Sequence, residues 1–348
     1  MRIQGSVRDL FSHMKMLGLA TIVSSYRFDK EDNSFSPVTV WWESPDTMVL
    51  SSVSRDISVD EAAECVRAYL DDLIEGEEVV QRMVGVGGKD HSPLSPRIAK
   101  SFSDQEWLSY RAARQSIIDY SEREVPLFGS LVNALGFPAY WSETLDESKG
   151  KLNLDLGASL WEMAPRNQGS EFMKNKYFKH VRACEQLSVQ DIGDRIRGEV
   201  LDSRNELRNA SGFRAPAHLD VLLSFVALSG IELFPTRPIT VGRAGSASTA
   251  ATTQRVGGRK QTFFVLPITD RAVTLEKYSA ICRNAAMYRV ANETIRDSQL
   301  TALDVSIAPS RSWLFSHGVS HLAVFHRFVG GTPSCPEYYA NEGDVVSV

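Results

Sequence analysis

Residues 217–234 form a strongly apolar run, with Leu222, Leu223, Phe225, Val226 and Leu228 at its centre and Pro235 directly after it. A bilayer-crossing helix needs about 20 apolar residues. This run is too short for that, so other parts of the chain must cover it. It is expected to be a core helix that Pro235 ends. A chain of 348 residues, 43% hydrophobic, has enough apolar content to surround such a helix.

The rest of the sequence supplies helices and strands for that purpose. Val7, Leu10, Phe11, Met14 and Leu17 fall on a 3.6-residue stripe, and Gly18 stands where a short amphipathic helix would stop. Three β-type runs follow, residues 20–27, 37–42 and 47–53, separated by polar turn residues, and they read as an antiparallel meander. Ser58 with Glu61 three residues on predicts a capped helix to about Ile74. Residues 85–100, rich in Gly, Pro and Ser, read as a loop. Helices are predicted from Ser103 to about Glu122, between Pro126 and Gly136, over the basic stretch 171–185, from Ser188 to near Gly198, and over 274–289. Residues 158–165 read as extended, 262–268 as an apolar strand, and 319–328 as an alternating terminal strand. The expected class is α+β, with an N-terminal antiparallel sheet and flanking helices followed by a mixed region. Charge and motif density change near 150–156, which divides the chain into regions 1–150 and 151–348 or leaves it one domain. No internal repeat is evident.

The amino terminus lacks an apolar stretch of the kind that directs export, so a soluble, cytoplasmic protein without a membrane partner is expected. Cys65, Cys184, Cys282 and Cys335 are scattered, which fits buried thiols in a reducing compartment.

Familiar catalytic patterns are missing. Gly85-Val86-Gly87-Gly88-Lys89-Asp90 lacks the spacing of a phosphate loop, and Asp90 would repel phosphate. His317, His321 and His326 are the nearest approach to a metal set, but on a strand His321 and His326 point to opposite faces. The expectation is no enzyme, no cofactor and no metal.

Charge is more informative. The net value of −5 conceals a segment 27–78 with 14 acidic and 4 basic residues, and a segment 166–260 with 15 basic and 9 acidic. Between Leu233 and Thr269 there are five basic residues and no acidic one. Residues 233–260 are mostly small and read as a flexible basic loop carrying Arg243, Arg255, Arg259 and Lys260. Upstream, Asn167 and Gln168 precede a Gly turn and a helix with Lys174, Asn175, Lys176 and Lys179 among aromatic residues. Amides contact base edges, cations hold phosphates and aromatic rings stack on unpaired bases. These ten residues are the candidate nucleic-acid contacts, with Asn167 and Gln168 as readers of a short motif. The alternative for this helix is that Phe172, Tyr177 and Phe178 are core and its lysines merely solvated.

Three segments carry a family resemblance. They are Ser12-His13-Met14-Lys15-Met16-Leu17-Gly18-Leu19, the Asn/Gly-rich turn into Glu171-Phe172-Met173-Lys174-Asn175, and Ser211-Gly212-Phe213-Arg214-Ala215-Pro216 followed by a helix ending Gly230-Ile231-Glu232-Leu233-Phe234-Pro235. In these the chain resembles the large subunits of type I CRISPR effector complexes, the Cascade-type surveillance complexes, especially the type I-G (formerly I-U) group. The resemblance implies a non-catalytic subunit that sits at the guide RNA 5′ end and recognises the protospacer-adjacent motif in double-stranded target DNA. It also implies contacts with other effector subunits and a surface that recruits a separate helicase-nuclease. Two other readings stay open at this point. One is a metal-dependent nucleic-acid enzyme, in which His317, His321 and acidic residues would converge; the other is a protein–protein adaptor.

Overall fold

The computed structural model describes residues 1–27, 36–84, 103–134, 143–146, 151–154, 177–199, 206–208, 212–215, 218–234, 251–256, 259–296, 307–332, 335–340 and 342–348. The chain is α+β, with an antiparallel sheet and flanking helices at its N-terminal end.

Its first strand, β1 (Arg2–Gln4), precedes α1 (Leu10–Tyr26), and the hairpin β2 (Val38–Ser44) and β3 (Thr47–Ser52) follows. Asp9 caps α1 by accepting from the Ser12 backbone N–H at 3.1 Å. The helix does not stop at Gly18, and residues 20–26, expected as a strand, are its last two turns. The reason is burial on every side. Leu10, Met14, Leu17, Ala20, Ile22 and Val23 are all buried, so the helical period is lost and the β-branched residues imitate a strand. The predicted meander is therefore replaced by the order β1-β3-β2-β10, with β10 (Val273–Thr274) arriving from far along the chain.

Next come α2 (Val59–Val84), longer than expected, then α3 (Asp104–Glu124) and α4 (Pro126–Ala134). The Ser58 hydroxyl accepts from the Glu61 N–H at 3.0 Å, as the spacing predicts. The hairpin β4 (Glu143–Asp146) and β5 (Lys151–Leu154) leads to α5 (Phe178–Ala183) and α6 (Val189–Arg197). A reciprocal Ser188–Asp191 capping box opens α6, and Gly198 at φ 80° ends it. The hairpin β6 (Glu206–Arg208) and β7 (His218–Asp220) precedes α7 (Val221–Ser229) and a 3-10 turn, Gly230–Leu233. This is the predicted core helix, shortened at its start because Asp220 caps it through the Leu223 N–H at 3.0 Å.

The five-stranded sheet is built from β8 (Ala251–Val256), β9 (Arg259–Thr269), β11 (Val319–Thr332), β12 (Cys335–Ala340) and β13 (Asp344–Ser347). Helices α8 (Leu275–Cys282), α9 (Ala285–Arg296) and α10 (Ala308–Ser316) lie between β9 and β11 in sequence. One helix was expected over 274–289. It breaks where Asn284 Oδ1 accepts from the Ala286 N–H at 2.8 Å and restarts the chain as α9. Strand β11 is not terminal. It is the 14-residue centre of the sheet, with β9 along one edge and β12 and β13 in succession along the other.

The larger core draws on residues from Ile3 to Ala340, and so on both sides of residues 150–156. A second core lies between α9, α10 and the opposite face of the five-stranded sheet, around Val265, Met287, Val290, Leu314 and Leu322. Cys65, Cys184 and Cys282 are free and buried, and burial pushes the thiols of Cys65 and Cys184 up to about 12. Among the described residues no helix is long and apolar enough to cross a membrane.

Arg67 ties α2 to the end of α5. Its Nη1 donates to the carbonyls of Cys184, Glu185 and Leu187 at 3.3, 3.1 and 3.0 Å, while Nη2 donates to Asp71 at 2.6 Å. Carbonyls at a helix end lack partners inside the helix, and a guanidinium can satisfy several at once. Arg67→Ala is expected to lower unfolding free energy by about 2 kcal/mol, with Arg67→Lys recovering only part. Urea unfolding of the three proteins checks this, and equal midpoints would show that water replaces the guanidinium without cost.

Candidate nucleic-acid interface

The acidic and basic segments neutralise one another in part. Arg182 of α5 pairs with Glu77 of α2, and Arg197 of α6 with Asp60 at 2.5 Å. Arg195 pairs with Asp220, and Arg214 with Asp9 at 2.6 Å. These four cations of the basic segment therefore serve intramolecular contacts, and the charge count overstates what is free for phosphate.

Of the predicted contacts, Asn167, Gln168, Lys174, Asn175, Lys176 and Arg243 lie outside the described residues. Lys179 is exposed on α5. Beside it Tyr177 and Phe178 are buried, and the Tyr177 hydroxyl shares a 2.7 Å hydrogen bond with that of Tyr69. Those two rings are core and cannot stack on bases. Arg255, Arg259 and Lys260 do not sit in a loop but on the paired strands β8 and β9, with Arg255 opposite Lys260 and Val256 opposite Arg259. The run of small residues hid a strand because Ala-Thr-Thr-Gln carries no apolar alternation.

Register then joins that basic hairpin to a row of rings that the sequence reading missed. Phe263 on β9 stands opposite His326 on β11, and Phe328 opposite Tyr339 on β12. Their ring centroids are 5.1 Å (Phe263–His326), 4.5 Å (His326–Phe328) and 6.1 Å (Phe328–Tyr339) apart, the first and last pairs within 26° of parallel. All four rings are partly exposed. Phe263 and His326 each stand two residues from Val265 and Val324, on the same face of their strands, and those valines are buried against the helices of the second core. The row is thus the outward continuation of an apolar sheet face beyond its helical cover. Gly330 shapes its end, since a Cβ there would lie 2.9 Å from the Tyr339 ring. Partial desolvation and then the charge of the neighbouring Arg327 lower the His326 pKa. The one signal in the sequence was the i, i+2 spacing of His326 and Phe328 on a strand.

The other histidines are spread out. His317 follows α10 and stacks on Trp313 at 3.9 Å, and His321 sits on β11 at an odd offset from His326. Among the described residues no three His, Cys, Asp or Glu side chains gather as a metal set.

A hollow of about 390 Å³ lies at the head of α1 and is lined by Ser6, Arg8, Asp9, Arg214, Ala215, Ala340 and Glu342. Arg214 is committed to Asp9 and to the face of Phe11, and Glu342 offsets Arg8, so the hollow has little net charge. Lys15 close by donates to the Gln4 carbonyl at 2.8 Å, and burial brings its pKa down to about 8.

No family model matches the chain, and neither the curated proteins nor the solved structures contain a match.

Proposed function

We propose that this chain is a non-catalytic, nucleic-acid-binding subunit of a type I CRISPR surveillance complex. In that reading it holds guide RNA and target DNA, and it presents a surface to the other effector subunits and to a helicase-nuclease. The supporting observation is the exposed ring row on a sheet whose adjoining hairpin carries Arg255, Arg259 and Lys260 with no acid between Leu233 and Thr269. Cations on a strand pair hold phosphates irrespective of sequence, while rings beside them take bases. Guide pairing would supply the sequence specificity, so the protein itself needs few base-reading groups.

The deciding experiment is to purify the native assembly through this chain and sequence any RNA it holds. Short repeat-derived guide RNAs are the expected content, and an assembly free of RNA would end this reading. On the purified chain, replacing Arg255, Arg259 and Lys260 together with alanine should weaken binding to every sequence alike. It should also flatten the dependence of log K on log salt by up to about three units. An unchanged slope would remove the hairpin from the interface.

A further inference from the structure

We infer that Phe263, His326, Phe328 and Tyr339 form a platform on which a single-stranded stretch of nucleic acid stacks its bases. This deepens the nucleic-acid reading above and rests on it.

Four aromatic rings in successive contact, spread over three neighbouring strands and each partly exposed, keep apolar surface in water that the second core could have covered. A duplex cannot use such a surface, because its bases are already stacked on each other and present only their edges in the grooves. An unpaired base has a free π face and gains by laying it on a ring. Charge is complementary along the same sheet. Arg259 lies four residues from Phe263 on β9, an even offset on the same face of the strand, so a phosphate flanking a base stacked on Phe263 runs toward that end of the hairpin, whereas Lys260 at an odd offset takes the other face.

Gly330 is a positioning residue for the platform. Its missing side chain is the space that the Tyr339 ring occupies, so the last ring can lie over β11 beside Phe328. Recognition by ring faces is tolerant of base identity, since every base has a π face. The inferred ligand is therefore single-stranded DNA or RNA of any sequence, about three or four bases long at the platform itself.

The test uses the full chain and fluorescein-labelled oligothymidylate and oligouridylate of about 12 nucleotides, read by anisotropy. A matched duplex and an abasic strand of equal charge serve as comparisons. Phe328→Ala and Tyr339→Ala should each weaken single-strand binding by about 5-fold to 100-fold, the range for one lost base–ring stack. Both should leave the duplex affinity and the salt slope unchanged. Phe328→Tyr should bind like the parent, and the abasic strand should bind the parent as weakly as the intact strand binds the alanine variants. Gly330→Ala, which keeps all four rings but displaces Tyr339, should give a smaller loss of the same kind. Thermal unfolding of each variant separates lost binding from lost fold. Ring variants that bind single strands as tightly as the parent, in a parent whose binding falls with salt, would overturn the platform and leave the nucleic-acid reading standing. A parent that binds none of the oligonucleotides would overturn both.

Discussion

Gly18→Ala is expected to destabilise the protein by about 3 kcal/mol, although alanine is the better helix former and Gly18 lies in mid-helix. A Cβ at Gly18 would stand 1.8 Å from the carbonyl oxygen of Val226 and 2.9 Å from the backbone nitrogen of Gly230. The crossing is reciprocal, because a Cβ at Gly230 would stand 2.8 Å from the Met14 carbonyl oxygen and 2.9 Å from the Gly18 nitrogen. Both obstacles are backbone, so no rotamer change relieves them. The helix α1 must move away from α7 and the 3-10 turn, which opens the centre of the larger core. Urea unfolding measures the effect. Gly230→Ala should behave similarly, and the double variant should cost less than the sum, since the first substitution has already parted the helices. Gly198→Ala is the comparison: its φ of 80° is strained for alanine, but none of the described residues lies within 4 Å, so only about 1 kcal/mol should be lost. A Gly18→Ala protein as stable as the parent would mean that helix propensity governs the site and the contact does not.

His13 is expected to make the fold acid-sensitive. It is fully buried on α1, against Trp42 at 4.8 Å and Phe325 at 5.6 Å. Its Nε2 donates to the Val7 carbonyl at 2.9 Å, and its Nδ1 is buried with no hydrogen-bond partner among the described residues. Burial disfavours the imidazolium and brings the pKa down from 6.5 to about 4; the Val7 carbonyl and the charge of Asp9 oppose this without reversing it. Above pH 6.5 the ring is neutral whether the chain is folded or not, so it imposes no penalty. Between pH 6.5 and about 4 the unfolded chain takes a proton that the folded chain refuses. Stability therefore falls with pH at about 1.4 kcal/mol per unit, roughly 3 kcal/mol across the window. His13→Phe keeps an aromatic ring among aromatic neighbours and removes the titration. Urea unfolding at pH 7 and pH 4 should show the variant losing about 3 kcal/mol less than the parent between the two. Carboxylates contribute to both proteins and cancel in that difference, so equal losses would place the acid sensitivity elsewhere.

These two residues also show how far the sequence reads on its own. Gly18 was legible as punctuation and its local meaning was wrong, because a glycine that ends a helix and one that admits a second backbone look alike in one dimension. His13 itself carried no reading of its own beyond its place in a segment of family resemblance. In the structure Met14 and Gly18 of that segment pack against Gly230 of another such segment, whose Arg214 pairs with Asp9, the cap of the same helix.

Local chemistry determined a good deal without help. The caps at Ser58 and Ser188, the end of α6 at Gly198 and the hairpin strands β2 and β3 all follow from side chains acting on neighbours within a turn or two. Those are short-range effects, so sequence distance and spatial distance agree. What tertiary structure decided was everything that depends on register or on burial from several sides. The continuation of α1 through β-branched residues depends on surrounding elements, as does the arrival of β10 beside β2. The ring row depends on the pairing of β9, β11 and β12, in which Phe263 meets His326 across 63 positions of chain. A period in the sequence can say which face a residue takes, but only strand register decides which rings on that face touch.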